Sequence, residues 1–100
     1  MNPEATLDMD AMHAFEQALD ALPEGYSTGT FEDRRWKATI KRSGDGRRVW
    51  LFAEDLAGDD IVSFNFYRLA ADRVALKPCE MSTAKVTSFV HGYRPDAVRP

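Results

Sequence analysis

The stretch of residues 34–54, RRWKATIKRSGDGRRVWLFAE, is the clearest β-hairpin in this sequence. Its first arm, residues 35–42, alternates polar and apolar side chains, which is the period of a half-buried strand. Residues 43–46 read Ser-Gly-Asp-Gly and tolerate the positive φ angles of a tight turn, and residues 47–54 return as the second arm. The pattern therefore predicts an antiparallel hairpin whose turn has either two or four residues.

Both turn lengths divide the side chains of the hairpin between its two faces in the same way. One face carries the apolar positions of both arms: Trp36, Ala38, Ile40, Val49, Leu51 and Ala53. The other face carries Lys37, Thr39, Lys41, Trp50 and Phe52. We expect the first face to be core and the second to mix bases with aromatic rings.

Further strands are predicted on both sides of the hairpin. Residues 61–69 are rich in β-branched and aromatic side chains, and a short strand follows through Leu76 until Pro78 ends it. Residues 26–31 contain β-compatible side chains but also turn formers, so they form either a short edge strand or a loop. The sequence thus predicts an antiparallel β-meander of four to five strands.

The register of residues 61–69 against the hairpin has two alternatives, because strand side chains alternate with a period of two. In the first, the core face gains Val62, Phe64 and Phe66, and the opposite face gains Ser63, Asn65 and Tyr67. In the second, Phe64 and Phe66 lie beside Trp50 and Phe52. The sequence leaves both alternatives open.

Two amphipathic helices flank the meander. Residues 8–22 have apolar side chains at three- and four-residue spacing behind the cap residue Asp8, and residues 82–91 form a second helix capped by Ser82 or Thr83. Because an antiparallel sheet commonly keeps one face toward solvent, we expect both helices on the same face. The predicted core comprises Met12, Phe15, Leu19, Leu22, Trp36, Ile40, Leu51, Phe64, Phe66, Leu76, Val86, Phe89 and Val90.

These elements predict an α+β fold: an N-terminal helix, an antiparallel β-meander and a C-terminal helix. We expect residues 1–100 to form a single domain with an ordered core at about 8–94. The ends of the chain are polar or carry prolines, so we expect a flexible N-terminus at residues 1–6 and a flexible C-terminal tail at residues 95–100.

The composition predicts a cytoplasmic protein that is not embedded in a membrane. The one cysteine, Cys79, excludes an intramolecular disulfide, and the first residues lack the basic and apolar regions of a signal peptide. No apolar run approaches the roughly 20 residues that are needed to cross a bilayer.

The charges are segregated along the chain although the net charge is only −3. Residues 1–33 hold eight acidic residues and no Lys or Arg, whereas residues 34–48 hold seven bases and one acid. Either the acidic helix and the basic hairpin attract each other within the fold, or the hairpin faces an anionic partner.

The leading functional hypothesis is a small non-enzymatic binding or adaptor domain that uses a basic and aromatic sheet face. Its candidate binding residues are Lys37, Lys41, Arg48, Trp50, Phe52 and Tyr67. Bases with aromatic platforms are typical of surfaces that bind unpaired nucleic acid, but the chain is acidic overall and has no ribonucleoprotein motif. The sequence therefore gives a nucleic-acid partner only weak support, and a protein partner or a second copy of the chain stays open.

Two alternatives belong to other classes. A meander with exposed aromatic residues could be covered by a second copy, which would make the protein a homodimer. Cys79 lies before the predicted second helix, and a thiol-dependent enzyme could use it as a reactive nucleophile with His13 or His91 as base. We expect no metal site and no cofactor, because the two histidines are far apart and phosphate-binding glycine motifs are missing.

Three segments resemble short bacterial proteins of unknown function. They are residues 34–39 (RRWKAT), residues 45–54 (DGRRVWLFAE) and residues 76–81 (LKPCEM), and the likeness covers roughly residues 25–96. The resemblance implies a free-standing bacterial domain and no particular activity.

Overall fold

The computed structural model describes residues 9–70 and 73–96, so the predicted flexible N-terminus and the predicted cap Asp8 lie outside the described residues. The elements follow in the order α1 (Met9–Asp20), β1 (Gly25–Phe31), β2 (Arg34–Arg42), β3 (Arg48–Asp55), β4 (Ile61–Arg68), β5 (Val74–Pro78), α2 (Thr83–Gly92) and β6 (Arg94–Pro95). The predicted α+β class is confirmed, and the described residues contain six strands rather than four or five.

The strands form one antiparallel sheet in the order β5-β4-β3-β2-β1-β6. The predicted hairpin is its centre, with Ile40 opposite Leu51. The undecided residues 26–31 belong to strand β1, whose two-residue turn into β2 holds Glu32 and Asp33 at positive φ. The meander therefore runs through β1 to β5, and β6 adds a short strand at the outer edge of β1.

Both helices pack on the same face of the sheet. The ring of Phe15 in α1 lies 5.7 Å from the rings of Phe64 and Phe66, and the ring of Phe89 in α2 lies 5.0 Å from that of Trp36. Leu51 faces Phe64 across β3 and β4, so the structure has the first of the two predicted registers. No described element packs on the other face.

The end of α1 is fastened to the hairpin by Arg42. Its guanidinium donates hydrogen bonds to the backbone carbonyls of Leu19 and Leu22, at 3.1 and 2.9 Å, in the region where a helix end leaves carbonyl groups without helical partners. The start of α2 is capped as predicted, since Ser82 Oγ accepts a hydrogen bond from the Lys85 N–H. Both helices are thus fixed at one end by a specific polar contact.

The predicted flexible tail began at residue 95, and the structure places its first two residues on the sheet edge. Pro95 pairs with Gly29, where a Cβ atom would come within 2.3 Å of the Arg94 carbonyl oxygen. The carboxylate of Asp96 accepts two hydrogen bonds from Arg35 and one from Thr28, which lower its pKa to about 2. Residues 97–100 lie outside the described residues.

Most of the predicted core is buried. Met12 and Leu76 are half-buried and pack against the core. Tyr93, which was not predicted, is 2 % exposed, and its hydroxyl lies 2.9 Å from Ser27 Oγ. Burial raises the pKa of Tyr93. Neither described helix has the length and apolar composition that crossing a bilayer requires.

Candidate binding face

The side of the sheet away from the helices, here called the open face, is formed by alternate residues of strands β1 to β5. All six predicted binding residues lie on it: Lys37, Lys41, Arg48, Trp50, Phe52 and Tyr67. They share one face because the hairpin and β4 have the register in which Trp50 is opposite Lys41 on one side and Asn65 on the other. Their role in binding remains a prediction.

One cross-strand row runs through the middle of the open face. Lys41 of β2 lies opposite Trp50 of β3, Trp50 opposite Asn65 of β4, and Asn65 opposite Lys77 of β5. Neighbouring strands are about 4.8 Å apart, so the two lysines stand at the ends of a row roughly 14 Å wide. The row therefore places a ring and an amide between two positive charges.

Trp50, Phe52 and Tyr67 of the open face are partly buried, whereas the sequence predicted an exposed Trp-Phe pair. The rings of Trp50 and Phe52 are nearly parallel, with an angle of 11° between their planes and 6.3 Å between their centres. They are side by side because residues two apart on a strand point to the same face. Neighbouring side chains cover part of each ring, and the remainder faces solvent.

Two of these neighbours are cations. Lys41 Nζ lies 5.5 Å from the centre of the Trp50 ring, and the guanidinium carbon of Arg48 lies 5.8 Å from the centre of the Tyr67 ring. Both distances are within the range of cation–π attraction. Arg48 also donates a long hydrogen bond of 3.4 Å to Asn65 Oδ1. Two positive charges of the open face are therefore held at aromatic rings.

Several other cations of the fold are bound to carboxylates. Arg68 of β4 donates to Glu16 and Asp20 of α1 at 2.6 and 2.8 Å, and also to the Gly46 carbonyl. Burial alone would lower the pKa of Arg68, but the hydrogen bonds that Arg68 donates to both carboxylates more than offset this and raise it. Two acids of α1 are thus bound by β4, whereas Arg42 of the hairpin forms an ion pair with Glu24, which follows the helix.

Three cations of the open face have no carboxylate within ion-pair distance in residues 9–70 and 73–96: Lys41, Arg48 and Lys77. Lys37 differs from them, because its amino group lies 3.5 Å from Glu54. Asp45, in the adjacent turn, accepts hydrogen bonds from the Ser43 hydroxyl and the Arg47 N–H, which lower its pKa. The centre of the open face therefore carries net positive charge.

Two shallow depressions lie beside the aromatic residues. One, of about 420 Å³, is lined by Lys41, Arg42, Ser43, Arg48 and Trp50. The other, of about 250 Å³, is lined by Tyr26, Lys37, Ala38, Thr39, Phe52 and Glu54. A third depression, near α1, contains Glu16 and Arg68, which bind each other. Of these three, the first combines a ring with Lys41 and Arg48, which have no ion pair within the described residues.

The sequence prediction missed two residues of the open face. Lys77 was missed because residues 74–78 were read only as a short strand, although Leu76 on the core side implies that Lys77 points the other way. Tyr26, which is 66 % exposed, was missed because residues 26–31 could not be assigned to a strand. The alternation of side chains between the two faces of each short strand identifies both Lys77 and Tyr26 as open-face residues.

Cys79 lies just beyond β5 and is exposed. Its N–H donates to the Ser63 carbonyl, and within the described part of the chain no hydrogen bond joins its thiol to His13 or His91. Both histidines occupy exposed positions of the helices. The described residues also contain no group of three or more side chains suited to hold a metal ion. A reactive role for Cys79 stays a prediction.

Comparison with protein-family models, curated proteins and solved structures finds no significant match. The predicted relation to short bacterial proteins of unknown function therefore stays a prediction. The function has to be argued from the geometry of the open face.

Proposed function

We propose that this protein is a small non-enzymatic binding domain that holds an anionic ligand against its open face. The observation that carries the proposal is the group of Lys41, Arg48 and Lys77, which have no carboxylate partner among the described residues and lie around partly exposed aromatic rings. Elsewhere on the sheet, Arg34, Arg35 and Arg68 are bound to acids of the same chain.

The arrangement supports binding because its two components have complementary effects. Exposed cations attract an anion over a distance of about 10 Å at moderate salt, and partly exposed rings gain free energy when a ligand covers them. A face that served solubility alone would have no use for aromatic residues at its centre, since exposed rings work against solubility. Cations and rings together favour a ligand that is anionic and partly apolar or planar.

Charge also bears on the homodimer alternative. A two-fold dimer through the open face would bring the same patch of both copies together, because such an interface is isologous. Lys41, Arg48 and Lys77 of both copies would then lie in one interface, where the described acids Glu54 and Asp96 are already bound to Lys37 and Arg35. Like charges at a buried interface are unfavourable, so the open face suits an anionic partner better than itself.

The proposal can be tested with Trp50 as a reporter. Trp36 is buried in the core, so a Trp36→Phe variant leaves Trp50 as the one tryptophan of the chain. We would titrate this variant with polyglutamate, polyphosphate and single-stranded RNA at low and moderate salt. We expect at least one polyanion to change the Trp50 fluorescence, with weaker binding at the higher salt concentration.

Matched charge variants locate the surface. Lys41→Gln and Arg48→Gln should each weaken binding several-fold, whereas Arg73→Gln, which removes an exposed charge beside the α1 depression, should leave it within about twofold. Absence of any response, or equal loss in Arg73→Gln, would contradict the proposal. A stable dimer in sedimentation that Lys41→Glu strengthens would support the homodimer instead.

A further inference from the structure

We infer that the anionic ligand is single-stranded nucleic acid, an inference that rests on the open face being the binding surface. Such a strand presents three chemical groups to a protein: phosphates, the flat faces of unpaired bases and the polar edges of those bases. The open face has a matching group for each of them, within two neighbouring cross-strand rows.

The phosphate-binding groups are Lys41, Arg48 and Lys77, the open-face cations that have no ion pair with a carboxylate in the described part of the chain. Lys41 and Lys77 stand at opposite ends of the central row, and Arg48 belongs to the next row, opposite Tyr67. They flank the aromatic residues on both sides, so a strand that crosses the face meets a positive charge before and after the rings. Each contact with a phosphate releases counterions and favours binding.

The base-stacking groups are Phe52, Trp50 and Tyr67. Phe52 and Trp50 are consecutive on the open face of β3, and Tyr67 lies beside Arg48 on β4. Residues two apart on a strand are separated by about 7 Å, which spaces the rings as separate platforms along the sheet. Stacking on a ring requires the flat face of a base, which a duplex keeps inside its stack, so this arrangement selects unpaired bases.

The amide of Asn65 supplies the third group. It lies between Trp50 and Lys77 in the central row, where a base stacked on Trp50 would bring its edge toward β4. An asparagine side chain donates and accepts hydrogen bonds and can pair with base edges. Its weak 3.4 Å bond from Arg48 leaves the amide nitrogen available.

The contacts between cations and rings give this site a simple binding step. Lys41 lies over Trp50 and Arg48 over Tyr67, and both side chains are long and exposed. Movement of each cation to a phosphate would uncover the ring for a base without any change in the backbone. An acidic peptide would use the cations but would leave the stacked rings and Asn65 without partners.

The test uses a fluorescently labelled, mixed-sequence 12-nucleotide strand, as RNA and as DNA, with anisotropy as the readout. The same RNA in a duplex and labelled polyglutamate are the comparison ligands. We expect the single strands to bind more tightly than the duplex. With three phosphate contacts, the slope of log K against log salt concentration should be about −2, since each contact on a single strand contributes about −0.7.

Two variants separate stacking from charge. Trp50→Leu should weaken binding of the single strand about fivefold or more, the lower end of the range for base stacking, and Trp50→Phe should restore most of it. Lys41→Gln should make the salt slope less steep by about 0.7. Arg73→Gln is the matched control, and thermal melting of each variant checks that it is folded.

The outcomes distinguish this inference from the proposed function. If polyglutamate binds in a way that needs Lys41 and Arg48 while the single strands do not bind, the open face is a binding surface and the inference is wrong. A duplex preference, or unchanged affinity in folded Trp50→Leu, also overturns the inference. If no ligand depends on Lys41 and Arg48, both are wrong.

Discussion

The two faces of the sheet are built from alternate residues of the same strands, yet their aromatic rings have different surroundings. On the core face, Phe15, Phe64 and Phe66 pack ring against ring and are completely buried. On the open face, Trp50 and Tyr67 are partly exposed and form cation–π contacts with Lys41 and Arg48.

Arg68 on the core face and Arg48 on the open face also differ in their contacts. Arg68, whose side chain reaches the helix side, is bound by two carboxylates and a carbonyl, whereas Arg48 on the open face has only a ring and a weak bond to Asn65. Contacts of the first kind hold α1 on the sheet. Contacts of the second kind can be exchanged for a ligand at little cost to the fold.

The largest expected effect compares one aromatic residue from each face. Phe64→Ala should lower the free energy of unfolding by about 3–5 kcal/mol, because it leaves a cavity beneath α1. Trp50→Ala should cost about 1 kcal/mol or less, since its ring is partly exposed and mainly makes cross-strand contacts. Urea denaturation measures both. Equal losses would show that the open face is part of the structural core.

The next comparison concerns the two arginines. Arg68→Met keeps the aliphatic stem but leaves Glu16 and the Gly46 carbonyl without their donor, and should cost about 1–2 kcal/mol after allowance for partial exposure. Arg48→Met should stay within about 0.5 kcal/mol of the parent protein. Thermal or urea unfolding of the pair checks this, and a larger loss in Arg48→Met would assign the open face a structural role.

A third comparison is made between two turns of the scaffold. Asp33 has φ of +66° in the β1–β2 turn, so Asp33→Gly should stabilise the protein by a few tenths to about 1 kcal/mol. Gly46 has φ of +73° in the β2–β3 turn with open space around its Cβ position, so Gly46→Ala should destabilise by about 1 kcal/mol. Ligand binding should change in neither variant, as anisotropy would show.

The smallest expected effect lies at the sheet edge. The pKa of Asp96 in the folded protein is about 2, below its ordinary value of 3.8. The ionised form of Asp96 therefore stabilises the fold. That contribution is complete above about pH 5 and is lost as the pH falls toward 2. The melting temperature of Asp96→Asn should therefore lie below that of the parent at neutral pH, and the two should converge in acid. A constant difference would mean that the Arg35 ion pair contributes nothing.

Much of the fold could be predicted because it is recorded in local patterns. The alternation in residues 35–42 and 47–54 identifies the hairpin, and apolar spacing identifies both helices. The same alternation assigns Lys37, Lys41, Trp50 and Phe52 to one face, whatever strands lie beside the hairpin. Parity within a strand is therefore enough to group most of the candidate site.

The remaining features depend on contacts between distant parts of the chain. Tyr67 could be assigned to a face only if the register of β4 across the loop at residues 56–60 were known. In the structure, buried Asp55 organises this loop, because it accepts a hydrogen bond from the Ala57 N–H and forms an ion pair with Arg34. Strand β6 could be predicted only with knowledge of the close approach of Arg94 to Gly29. Neither feature follows from the period or composition of a single segment.

The sequence also could not show which bases are bound to carboxylates and which are not; this required the three-dimensional structure. Arg35 and Lys41 look alike in the sequence, but one is bound by Asp96 from the far end of the chain and the other lies over Trp50. Which bases are neutralised depends on where the acids come to lie. The sequence could therefore predict a basic and aromatic face, but not which of its charges remain for a ligand.

The most direct test of the two-face account is a triple variant, Lys41→Gln, Arg48→Gln and Lys77→Gln, measured for both unfolding free energy and binding of the labelled single-stranded RNA. The account predicts a stability within about 1 kcal/mol of the parent protein and a loss of most binding and of its salt dependence. A variant that binds the RNA as the parent does, or that loses its fold, would contradict the account.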